Sequence, residues 1–394
     1  INIGGDKMIK REQYLKEIRK FMDKPIIKVI TGMRRSGKSM ILKLISKELE
    51  EKGINKENII FINFESLMFA EFANFQKLYS YIIEKSKNLA GKIYILLDEI
   101  QEVASWEKVI NSLLVDLDCD IYITGSNANL LSSELATYIA GRYVEIKMLP
   151  LSFKEYLSGF ENNINYQSLF LEYMKNGGMP GVLSILDLDI DGINTYLDSI
   201  FSTIIFKDIM ARNKIVNKTL LENIIKFIFD SIGSVISTKK ISDTLTSKGI
   251  SISNHTVENY IRSFVESYLI YKAEKFDVKG KKLLLRDYKY YVVDTGLRSY
   301  LLGKKADSDM GHILENIVYL ELLRRGYRVY VGKVNNTEID FVAENRDGIK
   351  YFQVALTVRD EKVLERELRS LKNTEDHYPK YLITMDMDLT ADYE

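Results

Sequence analysis

The 394-residue sequence predicts an α/β protein: a parallel sheet covered by helices, then a helical and winged-helix region, then a second, smaller α/β domain. Three observations predict it. Residues 26–46 run from an apolar β-branched stretch through a glycine turn into a helix-period stretch; apolar runs then alternate with amphipathic ones as far as Pro150; and beyond residue 151 helical spacing dominates until strand-like runs return near residue 269. Length agrees, because 394 residues exceed one ordinary core.

Composition sets outer bounds. Hydrophobic content of 46% and charged content of 28% describe an ordinary globular chain, and a formal net charge of zero means that any nucleic-acid surface must be local. A single cysteine, Cys119, excludes an internal disulfide and Cys-rich zinc sites, three histidines argue against a His-built metal centre, and a reducing cytoplasm is expected. No apolar run approaches the roughly 18 residues that span a membrane, so no membrane partner is expected. Met8 reads as the natural start, and residues 1–7 are left out of the fold reasoning.

In chain order, residues 14–21 (YLKEIRKF) carry apolar side chains at helical spacing. The first strand holds Ile26, Ile27, Val29 and Ile30 and stops at Thr31-Gly32. Next comes Gly32-Met33-Arg34-Arg35-Ser36-Gly37-Lys38-Ser39, a full G-x-x-x-x-G-K-[ST] match opening a helix with Ile41, Leu42, Leu44 and Ile45. Backbone N–H groups at a helix N-terminus can surround a phosphate there, Lys38 supplies a mobile positive charge, and Ser39 is placed to ligate Mg²⁺; ATP and Mg²⁺ are the expected ligands of this P-loop.

A second strand, residues 59–64, carries Asn63 near its end, and a polar and aromatic helical region follows to about residue 89. Residues 93–99 (IYILLDE) end in two acids: Asp98 can hold the Mg²⁺ shell, and Glu99 can orient and polarise an attacking water. Residues 121–124 lead into Gly125-Ser126-Asn127, where either Ser126 or Asn127 could reach the γ-phosphate or the water. Residues 143–149 form a last strand just after Gly141-Arg142, and Arg142 could reach a γ-phosphate in its own or a neighbouring subunit, which leaves a homo-oligomer open.

Taken together, GMRRSGKS, YILLDEIQ, ITGSNA and AGRYVEIKMLPLSFKEYL resemble the AAA-type ATPase domain of bacterial and archaeal proteins that carry a C-terminal domain of unknown function, DUF4143. The resemblance continues through KNGGMPGV, GHILENIVYLELLRRG, TEIDFV and FQVAL, and so covers nearly the whole chain. It implies a hydrolytic site of Lys38, Ser39, Asp98 and Glu99, with Asn127 at the sensor position. It also implies that Asn63 holds the catalytic glutamate away until a partner binds, and that Arg142 is a sensor in cis or a finger in trans.

Residues 151–212 are dense in Leu, Ile, Phe and Tyr at helical spacing, and the Asn176-Gly177-Gly178-Met179-Pro180-Gly181 interruption reads as a turn or hinge between helices. Residues 217–232, 239–248 and 253–268 predict three helices, and residues 269–276 and 282–291 two strands. That is a winged helix-turn-helix order. The third helix would present Asn254, His255, Asn259 and Arg262, and the hairpin tip Lys279, Lys281 and Lys282. From Lys239 to Lys289 there are 11 Lys plus Arg against 6 Asp plus Glu, so DNA is the expected partner, with protein docking as the alternative.

From Gly311 the order helix (313–325), strands (327–331, 338–343, 350–356), helix (362–371), strand (380–385) resembles the restriction-endonuclease-like core. The resemblance implies a metal centre of a helix glutamate, a strand aspartate and an E-x-K. Glu315 and Asp340 match the first two, but the third reads Gln353-Val354-Ala355, which supplies neither a good Mg²⁺ ligand nor a cation. A degenerate centre follows, with Glu315 and Asp340 paired to Arg324, Arg325 or Lys333; replacement of the lost groups by Glu338 or Arg359 is the alternative. The predicted domains are 8–150 (ATPase), 151–214 (helical), 215–300 (winged helix) and 301–394 (nuclease-like). Three function classes remain: an ATP-driven switch on DNA, an ATP-regulated nuclease, and a signalling ATPase whose C-terminal half binds protein.

Overall fold

A computed structural model describes residues 9–131, 141–160, 165–215 and 217–388. The chain divides into two compact units, residues 1–161 with 266–268, and residues 162–265 with 269–394.

The first unit contains α1 (Glu12–Arg19), β1 (Ile27–Thr31), α2 (Lys38–Glu51), β2 (Ile59–Asn63), α3 (Phe75–Ser86), β3 (Ile93–Asp98), α4 (Trp106–Asp116), β4 (Cys119–Gly125), β5 (Tyr143–Lys147) and α5 (Phe153–Leu157). All five strands are parallel, in the order β2-β3-β4-β1-β5. Successive residues of a strand point to opposite faces, so Ile93, Ile95 and Leu97 of β3 pack with Leu78, Ile82, Val109 and Leu113 on one side. Tyr94 and Leu96 pack with Leu15, Ile18, Ile41 and Ile45 on the other. A sheet buried on both faces needs apolar residues at every position, which is why its strands read as unbroken runs.

The register brings three strand ends to one edge: Thr31 lies opposite Gly125, and Leu97 opposite Ile123, so the turns after β1, β3 and β4 are neighbours. The fold class is the expected one, a P-loop α/β sheet with flanking helices, followed by a helical region and a second α/β sheet unit.

The second unit begins with α6 (Tyr166–Asn176), α7 (Pro180–Leu183), α8 (Ile190–Thr203) and a π-helical stretch, Ile204–Ala211. It continues through α9 (Lys218–Asp230), β6 (Val235–Ile236), α10 (Thr238–Ser247), α11 (Asn254–Glu266), β7 (Ile270–Asp277), β8 (Lys282–Val292) and α12 (Thr295–Leu302). It ends with α13 (Met310–Arg324), β9 (Arg328–Val334), β10 (Thr337–Asn345), β11 (Gly348–Val354), α14 (Glu361–Lys372) and β12 (Lys380–Ile383). Its seven strands form one sheet, β12-β11-β10-β9-β7-β8-β6.

This sheet changes the expected organisation in one respect. The β7–β8 hairpin is not a free wing: β7 pairs in parallel with β9, Lys275 opposite Val331 and Asp277 opposite Lys333, so residues 215–300 and 301–394 share a sheet. Pairing covers an edge that would otherwise present unpaired backbone groups.

The NGGMPG stretch, expected as a turn or hinge between helices, is a turn between α6 and α7 tied to the start of α12. The Gly178 N–H donates to Asp294 Oδ2 at 2.7 Å, and the other Asp294 oxygen caps α12 by accepting from Leu297 N–H at 3.0 Å. Gly177, at φ 76°, and Gly296 permit the approach: a Cβ would stand 2.3 Å from Asp294 Oδ1 at the first position and 2.1 Å from the Asn176 carbonyl oxygen at the second. Among the described residues no helix is long and apolar enough to cross a membrane.

Candidate functional site

The glycine loop between β1 and α2 is shaped by its two glycines. Gly32 has φ 147° and passes so close to β5's end that a Cβ would lie 2.2 Å from the Met148 carbonyl oxygen. Gly37, at φ 102°, is the N-cap of α2 and supplies no side-chain cap, so the first N–H groups of that helix face the loop. Met33 is buried; Arg34 is nearly so and pairs with Glu65 at 2.5 Å, while Arg35 adopts a left-handed backbone and is exposed.

Lys38 donates to the Met33 carbonyl at 3.1 Å and lies 3.3 Å from Glu99 Oε1. Arg11 holds the loop from behind, with its guanidinium bonded to the carbonyls of Ser36 (2.9 Å) and Leu149 (2.6 Å) and to Glu155 (2.9 Å). Nothing in the spacing of the sequence pointed to Arg11.

Asp98 and Glu99 are organised by Thr124 of β4. Its hydroxyl donates to Asp98 Oδ1 at 2.6 Å and accepts the Glu99 N–H at 2.8 Å, fixing Glu99 in a left-handed conformation, φ 55°. Burial pushes the Asp98 carboxyl above its ordinary value, against opposing hydrogen bonds from Thr124 and Ser39. Burial acts to raise Glu99 as well, but the Lys38 charge first, then the Gln101 bond and Arg34, hold it below the ordinary range.

Asp98 Oδ2 and the Ser36 hydroxyl are buried without hydrogen-bond partners. An unpaired carboxylate oxygen beside Ser39, and an unpaired hydroxyl in a loop of inward N–H groups, are donor sets that suit a divalent cation and a phosphate.

Two expectations for this edge are corrected. Asn63 does not hold Glu99: its side-chain oxygen accepts the Glu65 N–H at 2.8 Å, and the amide that bonds Glu99 Oε2 belongs to Gln101. Arg142 is exposed and sits at the opposite end of the sheet, because Tyr143 pairs with Ile27 whereas Lys147 pairs with Thr31 beside the loop. Four strand residues at about 3.3 Å each separate those ends, which removes a role in cis. Ser126 and Asn127 are buried at the loop edge, after β4. Ala140 of the AGRY motif lies outside the described residues.

In the second unit, Glu315 of α13 meets Lys289 of β8. The ammonium is 3.0 Å from Glu315 Oε1 and 2.7 Å from Glu338 Oε1, and the Tyr291 hydroxyl donates to Glu315 at 2.6 Å. Of the expected partners, Arg324 and Arg325 both pair with Glu321. Asp340 stands where the β9–β10 register shifts, between Ile339 and Val342, and burial and the neighbouring Glu315 push its carboxyl up.

Gln353 is consumed by structure. Its oxygen accepts from the Asp340 N–H and the Ser370 hydroxyl, both at 3.2 Å, and its amide donates to Glu367 at 2.8 Å. Arg359 pairs with Asp386 and Asp388 and substitutes for nothing here, while Glu338 is engaged by Lys289. Among the described residues no group of three His, Cys, Asp or Glu is arranged to hold a metal ion.

On α11, Asn254, His255, Asn259 and Arg262 are all exposed, although Asn254 accepts from Ser242 at 2.5 Å and Asn259 contacts His255 at 3.3 Å. Lys281 and Lys282 are exposed at the hairpin tip, whereas Lys279 pairs with Glu375 at 2.9 Å.

Comparison with known proteins adds the following. Residues 24–157 match the model of an AAA domain, and residues 167–308 match a domain of unknown function, DUF8612, where the sequence resemblance had named DUF4143. The chain is 44% identical over 382 residues to an uncharacterized protein of Haemophilus influenzae, covering 96% of this chain and 93% of that one. It is 32% identical over 373 residues to the uncharacterized protein MJ1544 of Methanocaldococcus jannaschii, covering 88% and 79%. Among solved structures, the Walker-type ATPase PABY2304 of Pyrococcus abyssi resembles it in fold, with a TM-score of 0.51 at 16% identity over 76% of this chain and 97% of that one.

Proposed function

The chain belongs to the family of its Haemophilus influenzae and Methanocaldococcus jannaschii relatives, with an AAA domain over residues 24–157, and on that premise we propose that it is a Mg²⁺-dependent ATPase. The observation that carries the proposal is the buried, unpartnered Asp98 Oδ2, set beside Ser39 and Lys38 by the Thr124 bond.

The N–H groups of residues 32–39 cradle the phosphates, and Lys38 turns from Glu99 to the more highly charged triphosphate. Ser39 and Asp98 would hold Mg²⁺, which when bound would neutralise charge on the phosphate oxygens. Glu99 accepts the proton of the attacking water, and Asn127, at the same edge, contacts the γ-phosphate or that water. Arg142 serves hydrolysis only from a neighbouring copy.

The same reading gives the second unit a partner but no cutting chemistry. The winged helix-turn-helix order and the exposed Asn254, His255, Asn259 and Arg262 on α11 favour DNA. A restriction-endonuclease-like module in which Lys289 already neutralises Glu315 and Glu338 favours a scaffold over a nuclease.

Lys38→Ala should weaken nucleotide binding, whereas Glu99→Gln should keep it and slow hydrolysis by orders of magnitude. Undiminished turnover in Glu99→Gln would sink the hydrolase assignment. Mg²⁺-dependent cleavage of duplex that Asp340→Ala abolishes would replace the scaffold with the nuclease.

A further inference from the structure

Glu99 has two side-chain partners of unlike chemistry. Lys38 is an ammonium 3.3 Å away, and Gln101 is a neutral amide whose Nε2 bonds Glu99 Oε2. A triphosphate in the loop competes for the ammonium because it carries several negative charges against one. It does not compete for a neutral amide. The contact that survives nucleotide binding is therefore the one to Gln101, two residues further along the same turn.

Gln101 carries a second signal. Its Oε1 is buried with no hydrogen-bond partner, an unfavourable state for an amide acceptor. It lies against Gly125 at the end of β4, where a Cβ would come within 2.9 Å of it. Residue 125 thus leaves room for the amide at the edge where Asp98, Glu99 and the glycine loop meet, and the group that the reaction brings to that edge with O–H bonds to donate is water.

Resting on the hydrolase reading above, we infer that Gln101 is a further catalytic residue, which keeps Glu99 in place once phosphate takes Lys38 and offers its own carbonyl oxygen to the attacking water. The water then has two acceptors, Glu99 and Gln101 Oε1, and its lone pair is left facing phosphorus. As the new O–P bond forms, the bond from the γ-phosphorus to the ADP oxygen breaks, and the water proton passes to Glu99.

The test uses the full-length protein and Gln101→Met, which keeps the length and removes both polar atoms. Single-turnover ATP hydrolysis should fall at least about 30-fold, with affinity for a fluorescent ATP analogue within about 3-fold of the parent. A second readout needs no nucleotide: in a thermal-melting cycle of Gln101→Met, Glu99→Leu, which has no acceptor, and the double variant, the two changes should be non-additive because each deletes the same contact. Hydrolysis within about 2-fold of the parent overturns the inference and leaves the hydrolase reading standing, provided Glu99→Gln is slow. Absence of hydrolysis in the parent itself overturns the hydrolase reading and the catalytic role together. Additive melting overturns the Gln101–Glu99 contact whatever the turnover.

Discussion

Lys289 places its ammonium 3.0 Å from Glu315, a carboxylate that also accepts the Tyr291 hydroxyl, in a site where Lys289 and Glu315 are 3% and 7% exposed. Burial acts to lower the ammonium pKa, yet Glu315, Glu338 and Asp340 together raise it above its ordinary value, so the lysine stays charged. Where the nuclease resemblance led one to look for a divalent ion among acids, the chain supplies a cation of its own. Removing one member of such a buried set leaves the others uncompensated. Lys289→Met should therefore destabilise the second unit by about 3–5 kcal/mol in urea denaturation, and adding Glu315→Gln should recover part of it. A Lys289→Met protein as stable as the parent would show that the acids do not need the ammonium.

This pair also marks the boundary of what could be read from the chain. The glycine loop and Asp98-Glu99 were legible because each is a contiguous motif at the end of a buried strand. Lys289 and Glu315 stand 26 positions apart, and Arg11 and Leu149 138 apart; no local period links either pair, and only a strand-to-helix ion pair joins the first and a buried carbonyl the second. The β7–β9 pairing was hidden for the same reason, since two strands in separate expected modules give no signal of their shared edge. Gln101 was in plain view as the last residue of YILLDEIQ, but the resemblance gives the amide there no role, and its role depends on which way the side chain turns.

Asp294 offers a pH test of the NGG joint. Its carboxyl is fully enclosed, and burial raises it to about 6 against the backbone N–H groups of Gly178, Leu297, Gly296 and Met179, which favour the ionised form. The raised value means that the folded protein holds this proton where the unfolded chain, at about 4, has lost it. This contribution to stability is thus greatest below pH 4 and is lost as pH rises through about 6, on the order of 3 kcal/mol in total. The melting temperature of the parent minus that of Asp294→Asn should fall from pH 4.5 to pH 7. A pH-independent difference would mean that the four N–H groups keep Asp294 ionised throughout.

The DNA reading rests on fewer cations than the residue count suggests. Of the 11 lysines and arginines between Lys239 and Lys289, Lys275, Lys279 and Lys289 are paired with Glu338, Glu375 and Glu315, acids outside that segment. Exposed lysines remain on and just after α10 (Lys239, Lys240, Lys248) and on β7 (Lys272), and the three exposed cations left on α11 and at the hairpin tip, where a winged helix would meet duplex, are Arg262, Lys281 and Lys282. Each phosphate contact contributes a slope of about −0.9 in log K against log salt, so three contacts predict an affinity loss of roughly 10- to 100-fold between about 50 and 200 mM. Arg262→Ala should lower the slope by about one and weaken binding at low salt, while Lys279→Ala, already tied to Glu375, should change little. Equal loss in both variants would mean that Lys279 leaves Glu375 for phosphate. Fluorescence-anisotropy titrations that find no duplex binding even at low salt would turn the exposed face of α11 over to a protein partner.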